Sequence, residues 1–332
     1  MNPSERRFFY HSFPRPRPND APEVITSKGI EILRSIKEIG LLLAPEIVRW
    51  ETPVSIGSPS PILLPQTRIS FTELSENELG SHSKMFGPFA LEFELEDLRR
   101  EGAMPVIYVP QARSAEDLLT LTGAIMVSHL GHTQYLVKQL HQLAQLSDPE
   151  QAMKLLGTEH VTSVREDYTL NLSNSGDNGE IVQSTEVPAK TIREILNYLG
   201  FRNAPFNSMI GVLTLTQSLF YPTDNEHAKD DLAYYREREW RITGGYDINA
   251  KSRGRALTYA EKQQVLSIDA AFWSRKDQVD NVAVSRIERA MVLNQFRERS
   301  PTDYIRRILV PKAAELQARE MFGEKVSVQP QL

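Results

Sequence analysis

The sequence predicts an α+β fold: one domain whose sheet is built from both ends of the chain, with a mostly helical insertion between them. Three observations carry this. Segments with strand periodicity or strand composition fall before residue 110 and again after residue 234. A long helical pattern dominates the stretch between them. No internal repeat points to a solenoid or propeller instead. The expected boundaries are an N-terminal part over residues 1–110, an insertion over 111–206, and a C-terminal part of the same domain over 207–332.

The elements follow in order. The aromatic run Phe8 to Phe13 reads as a first strand. Pro14, Pro16, Pro18 and Pro22 then hold the chain extended, because proline fixes φ and restricts the residue before it. Ile32, Leu33, Ile36 and Ile39 recur at helical spacing, with Thr26 or Ser27 as the cap and Gly40 as the stop. Pro, Ser and Gly make 51–66 a loop. Arg68 to Leu74 reads as a strand. Phe89, Leu91, Phe93 and Leu95 alternate with Ala90, Glu92 and Glu94, which predicts a strand with one wet face. Gly102 marks a turn, and Pro105 to Pro110 reads as another strand. Ser114 to Asp117 resembles a capping box that opens a helical region to about Leu146. Residues 147–206 read as helical pieces around a polar break at 171–179, a hairpin tip or loop. Tyr234 to Ile242 reads as a strand, and Tyr259 to Leu266 and Val282 to Glu298 as helices. Ile305 to Val310 is a late strand, and Lys312 to Met321 a closing helix.

Composition bounds the function. The 332 residues are 40% hydrophobic and 24% charged, enough apolar content for a large core. Asp and Glu total 43 against 38 Lys and Arg, a net charge of −5, which argues against bulk nucleic-acid binding. There is no cysteine, so disulfides, iron–sulfur clusters, thiolate zinc sites and a cysteine nucleophile are excluded. The N-terminal residues lack an apolar core for a secretory signal, and Leu118 to Val127 is too short for a bilayer. The expectation is a cytoplasmic protein with no membrane partner. The chain has no G-x-x-x-x-G-K loop, no G-x-G-x-x-G turn after a strand and no G-x-S-x-G elbow. His129 and His132 are three apart in the helical region, but no third ligand completes a set, so no metal is expected.

Several segments together carry a resemblance. They are Arg68-Ile69-Ser70-Phe71-Thr72-Glu73-Leu74, His82 with Phe86 to Phe93, Gly102 to Tyr108, and far downstream Tyr234 to Arg241. In this order they resemble the AbiGi family of abortive phage-resistance proteins. Ser70 stands where that family usually has cysteine, and Glu73 where it has Asp. The resemblance implies the antitoxin half of an abortive-infection pair, with a nucleotidyltransferase-like toxin as partner. The strand motifs are also similar to those of the ADP-ribosyltransferase superfamily. That similarity implies a split sheet and NAD as substrate. It also implies a first-strand His or Arg, a second-strand aromatic or Ser-x-Thr motif and a late Glu that carry the chemistry, with a macromolecular acceptor as a further partner.

The residues themselves permit two readings at each place. In an extended strand Glu237, Glu239 and Arg241 share one face. A fixed carboxylate there would stabilise the positive charge that grows on a ribose as its bond to nicotinamide breaks. Glu239 would be the catalytic carboxylate and Glu237 its helper. The plainer reading is a salt-bridged edge strand whose charges deter edge pairing. Ser70 and Thr72 could hold a ribose or amide, with Phe71 on the opposite face; all three residues are also ordinary strand composition. His11 would bond the adenosine ribose, or be a satisfied boundary histidine. Tyr108 would stack on the ligand, or simply pack. Two functions therefore stand side by side: an NAD-using ADP-ribosyltransferase or glycohydrolase, and a non-catalytic antitoxin that binds and neutralises a partner toxin.

Overall fold

The computed structural model describes residues 6–50, 61–111, 118–156, 168–175, 181–201, 206–224, 238–246, 252–279, 282–293, 299–323 and 325–331. The fold is mixed α/β around a mixed multi-stranded sheet. Contacts divide it into two units. The first comprises Met1–Ser128, Leu215–Asp247 and Lys251–Leu332; the second comprises His129–Thr214 and Ile248–Ala250.

The first unit opens with strand β1 (Arg7–Phe13) and helix α1 (Pro22–Glu38). Strands β2 (Leu42–Trp50), β3 (Ile62–Ser75) and β4 (Phe89–Phe93) follow, with a helix at Leu79–Phe86 between the last two. Next come the short β5 (Met104–Pro105) and β6 (Ile107–Gln111). In the second unit β7 (Thr169–Ser175) and β8 (Ile181–Pro188) form a hairpin. The chain returns to the first unit through β9 (Phe220–Asp224), parallel to β6, and β10 (Glu239–Thr243). Short pairs follow: β11 (Gly245–Tyr246) with β12 (Ser252–Arg253), then β13 (Arg255–Ala256), then β14 (Lys276–Val279) with β15 (Val282–Ser285), then β16 (Met291–Val292). The end of the chain supplies β17 (Ile305–Val310), a helix at Glu315–Phe322, and β18 (Ser327–Pro330).

Strand β3 is the hub of the sheet. Its residues 62–68 pair with β2, 68–72 with β10 and 72–75 with β1. Thr72 pairs with both Tyr10 and Glu239, so β1 and β10 lie on opposite edges of β3. Arg68 pairs with both Ala44 and Thr243, so β2 and β10 are also on opposite edges. It follows that β1 and β2 share one edge, and that residues 69–71 face a gap where the two strands part. On one side of the gap the sheet runs β5, β10, β3, β1, β4, β17, β18. On the other, β2 leads to β16 and β13.

Alternation along the strands divides the core into two layers. Phe9, Phe13, Ile69, Phe71, Phe89, Leu91, Phe93 and Ile242 face a layer closed by α1 and by Ala318 and Phe322 of the last helix. Phe8, Tyr10, Leu74, Ala90 and Leu309 face the other way, against Leu79. In the second unit the rings of His141 and Phe201 pack against Phe206, at 5.0 and 5.8 Å between centroids. Ala189, Ile192 and Leu196 bury one face of the helix Ala189–Tyr198.

Several expectations need correction. Helix α1 starts at Pro22, not at Thr26 or Ser27, because proline's missing N–H costs nothing at the first helical position. The hydroxyl of Thr26 instead donates to the Pro22 carbonyl at 2.8 Å. Residues 62–66, expected as loop, are strand. Strand β4 has no wet face: all five residues are buried, and Glu92 enters an ion cluster with Tyr10, Arg306 and Arg307. Residues 171–175 are strand within the hairpin, not the tip itself. The helix expected over Val282 to Glu298 is absent over 282–285 and 291–292; Val282 and Val284 are β-branched and pair with β14. Of the strand expected over Tyr234 to Ile242, residues 234–237 lie outside the described residues; Arg238 adopts φ 44°, a left-handed conformation, and the strand pairing covers Glu239–Thr243. The capping box at 114–117 lies outside the described residues.

Candidate functional site

The site grows from β10. Trp240 and Ile242 point into the core, so Glu239, Arg241 and Thr243 point to the opposite face. Antiparallel pairing sets Glu239 opposite Thr72 and Arg241 opposite Ser70. Arg241 grips the Glu239 carboxylate with two N–H groups, Nε at 2.7 Å and a terminal nitrogen at 2.8 Å. The Tyr108 hydroxyl donates to the same carboxylate, and Ser70 adds a side-chain hydrogen bond. Burial pushes the Glu239 pKa up, but the charge and hydrogen bonds of Arg241, with those of Ser70 and Tyr108, outweigh it. The net displacement is downward, so the carboxylate is ionised at neutral pH although its side chain is only 13% exposed.

A wider network continues this face. The Tyr221 ring lies against two guanidinium groups, Arg241 at 4.3 Å and Arg68 at 4.7 Å from its centroid. Its hydroxyl donates to Glu46 at 2.8 Å, and Glu46 also pairs with Arg68. Tyr108 meets Tyr221 edge to face at 6.2 Å. Towards β1, buried His82 bridges Thr72 at 3.0 Å and Ser12 at 3.3 Å through its two ring nitrogens. Its ring stacks on Phe86. Burial, with the nearby Arg15 charge, lowers its pKa to about 4, so the ring is neutral at pH 7.

The sequence-derived candidates therefore separate. Glu239, Ser70, Thr72 and Tyr108 come together on one face. His11 and Phe71 point to the other: the His11 ring lies 5.8 Å from Phe13 and 5.9 Å from Phe71. Phe71 is 1% exposed and wholly taken up in the core. The Nδ1–H of His11 donates to the Ser70 carbonyl at 2.9 Å. Burial depresses the His11 pKa, against the effect of that bond. Ser70 thus touches both groups, His11 through its carbonyl and Glu239 through its hydroxyl. Glu237 lies outside the described residues. Arg241 was visible as a face-mate of Glu239, but Arg68, Glu46, Tyr221, Ser12 and His82 carried no sequence signal for this role. Their partners lie far away in the chain.

A cavity of about 730 Å³ lies at the gap between β1 and β2, entirely within the first unit. His11, Phe13 and Ser70 line it, with Arg68 and Glu46 from the strands beyond. Glu239 is not among its lining residues. Among the described residues no cluster of His, Asp and Glu could hold a metal ion, and no helix is long and apolar enough to cross a membrane.

The sheet and its buried polar cluster define a mixed α/β protein with an ionised carboxylate held on one face of its sheet. The sequence model of the abortive phage resistance protein AbiGi, antitoxin, matches residues 65–270. That span covers more than half of the chain and includes Ser70, Tyr108 and Glu239; the chain belongs to the AbiGi family. Neither the curated proteins nor the solved structures give a match.

Proposed function

We propose that this AbiGi-family protein acts in phage defence by breaking the nicotinamide–ribose bond of NAD, with Glu239 as the catalytic carboxylate. The observation that supports this reading best is the state of Glu239: ionised, mostly buried, and joined by the Ser70 hydroxyl to the neighbouring strand. The similarity to ADP-ribosyltransferases assigns NAD chemistry to a first-strand His, a Ser-x-Thr motif and a late Glu. Here those residues sit on the adjacent strands β1, β3 and β10. The cavity beside His11 and Ser70 has a volume suited to a small-molecule ligand, and it meets the Glu239 carboxylate only by way of Ser70.

In this reading nicotinamide leaves with the electron pair of the glycosidic bond. The carboxylate faces the cationic sugar until water or an acceptor nucleophile bonds to the anomeric carbon and gives up its proton. Residues 1–110 and 207–332 would form the domain that carries the site, with 111–206 inserted. Purified protein should release nicotinamide from NAD. Glu239→Gln should lower the rate by about 10²–10³-fold, the usual cost of losing one electrostatic stabiliser. Equal rates for the variant and the parent protein would overturn the assignment.

A second reading is favoured by the family's antitoxin description and by the Arg241 grip, which matches the Glu239 charge before any substrate arrives. In it the protein binds and neutralises a partner toxin, and the Glu239 cluster is structural. Expression alone separates the two readings: an NAD-consuming enzyme slows its host's growth, and an antitoxin does not. An antitoxin would also co-purify with its toxin, and Glu239→Gln would leave neutralisation intact.

A further inference from the structure

We infer that the cavity at the sheet gap binds an organic phosphate carrying a planar ring, a ligand of nucleotide class, with Arg15 of the proline strap as the principal phosphate contact. The inference rests on the cavity alone and stands whether or not Glu239 cleaves NAD.

The first argument is charge. Arg15, Arg17, Lys28, Arg68 and Arg286 line the cavity, against two carboxylates, Glu46 and Asp269. Asp269 is shared by Arg17 and Lys28, and Glu46 pairs with Arg68. Arg286 turns to Asp277, which also serves Arg289. Arg15 lies over the Phe86 ring at 4.9 Å, and no carboxylate partners it among the described residues. The lining thus carries more positive charge than its own acids can match, inside walls that are mostly apolar. An anion placed there gains more than it would in water.

The second argument is a spare donor. Ser35 is 3% exposed and lines the cavity from α1, and its hydroxyl has no hydrogen-bond partner. A helical serine commonly returns its hydroxyl to the carbonyl one turn back; this one does not. A buried hydroxyl left over on an apolar wall calls for an acceptor atom from elsewhere.

The third argument is the wall. Phe13, Ile36, Ile69, Phe272 and Trp273 all line the cavity. Flat aromatic and branched aliphatic surfaces suit a planar ring, and Arg15 and Arg17 of the strap Pro14–Pro18 line the same cavity. Guanidinium forks match phosphate oxygens in pairs.

Titration calorimetry on the full chain tests this, with ADP, adenosine, inorganic pyrophosphate and laurate as probes. ADP should bind about tenfold more tightly than adenosine, and more weakly as salt is raised. Arg15→Gln should weaken ADP about tenfold with an unchanged unfolding midpoint, since Arg15 forms no buried ion pair. Ser35→Ala should weaken it by about threefold. No measurable binding, equal affinity for adenosine and ADP, a preference for laurate, or an Arg15→Gln variant identical to the parent would each overturn the inference. ADP binding without nicotinamide release leaves it standing while the catalytic proposal falls. NAD cleavage with no effect of Arg15→Gln does the opposite.

Discussion

His82 ties β1 to β3 as a neutral imidazole between two hydroxyl groups, and that state has a pH consequence. Its folded pKa of about 4 lies below the ordinary histidine value of 6.5. Between these values the unfolded chain binds the proton and the folded chain does not. Stability is therefore complete above about pH 6.5 and falls as the pH drops towards 4, by at most about 3 kcal/mol from this residue. Urea midpoints measured from pH 7 to 4 should fall more steeply for the parent than for His82→Gln. The Arg241–Glu239 pair gives a second test. Arg241→Ala would leave a carboxylate in a poorly solvated place, and breaking such a pair costs about 3–5 kcal/mol. The Glu239 pKa should then rise, because burial raises it and Arg241 supplies the two largest effects that lower it. Chemical unfolding and carboxyl-resolved NMR titration measure the two effects separately.

Helix α1 shows at the scale of an element how a single position fixes the seat of a helix on a sheet. A Cβ at Gly29 would come within 2.1 Å of the Phe89 ring, which lies against the helix backbone. Gly29→Ala therefore overpacks the main core despite alanine's better helix propensity. A loss of about 1–3 kcal/mol is expected in a denaturant midpoint. The same helix shows what was legible beforehand. Its core face, Ile32, Leu33 and Ile36, followed from spacing alone, as did the strands Phe8–Phe13 and Ile305–Val310. Its start did not, because capping hydroxyls at Thr26 and Ser27 looked stronger than a proline. Strand β4 misled for another reason: alternation places Glu92 on its own face but cannot say that Arg306 and Arg307, over two hundred residues later, will cover it. The Ser70–Glu239 contact was within reach of a strand-motif argument. The separation of His11 from Glu239 was not, since it depends on the register in which each strand pairs with β3 and so on which face each side chain takes.

For the whole molecule, the sheet joins the two extremes of the chain. Strand β4 is flanked by β1 from the beginning and β17 from the end. Ile308 and Val310 of β17 are fully buried in the main core, together with Ala314, Ala318 and Phe322 just beyond. A chain terminated after Tyr304 would lose this wall and uncover the edge of β4. It should show no cooperative unfolding transition by circular dichroism and should aggregate on concentration. The second unit gives a different kind of exposure. Ile181, Val182 and Tyr198 are 66%, 72% and 91% exposed. Replacing Ile181 and Val182 by threonine, which keeps strand propensity, should leave the unfolding midpoint within about 0.5 kcal/mol of the parent.

The position of β17 also governs when the protein can exist at all. A ribosome delivers β1, β3 and β4 before β10, and withholds the strand that covers β4 until more than two hundred further residues have been made. The nascent chain must therefore carry the hydrophobic edge of β4 uncovered while those residues are made. Translation interrupted before Ile305 therefore yields no closed first unit, because β4 still lacks one of its two neighbours.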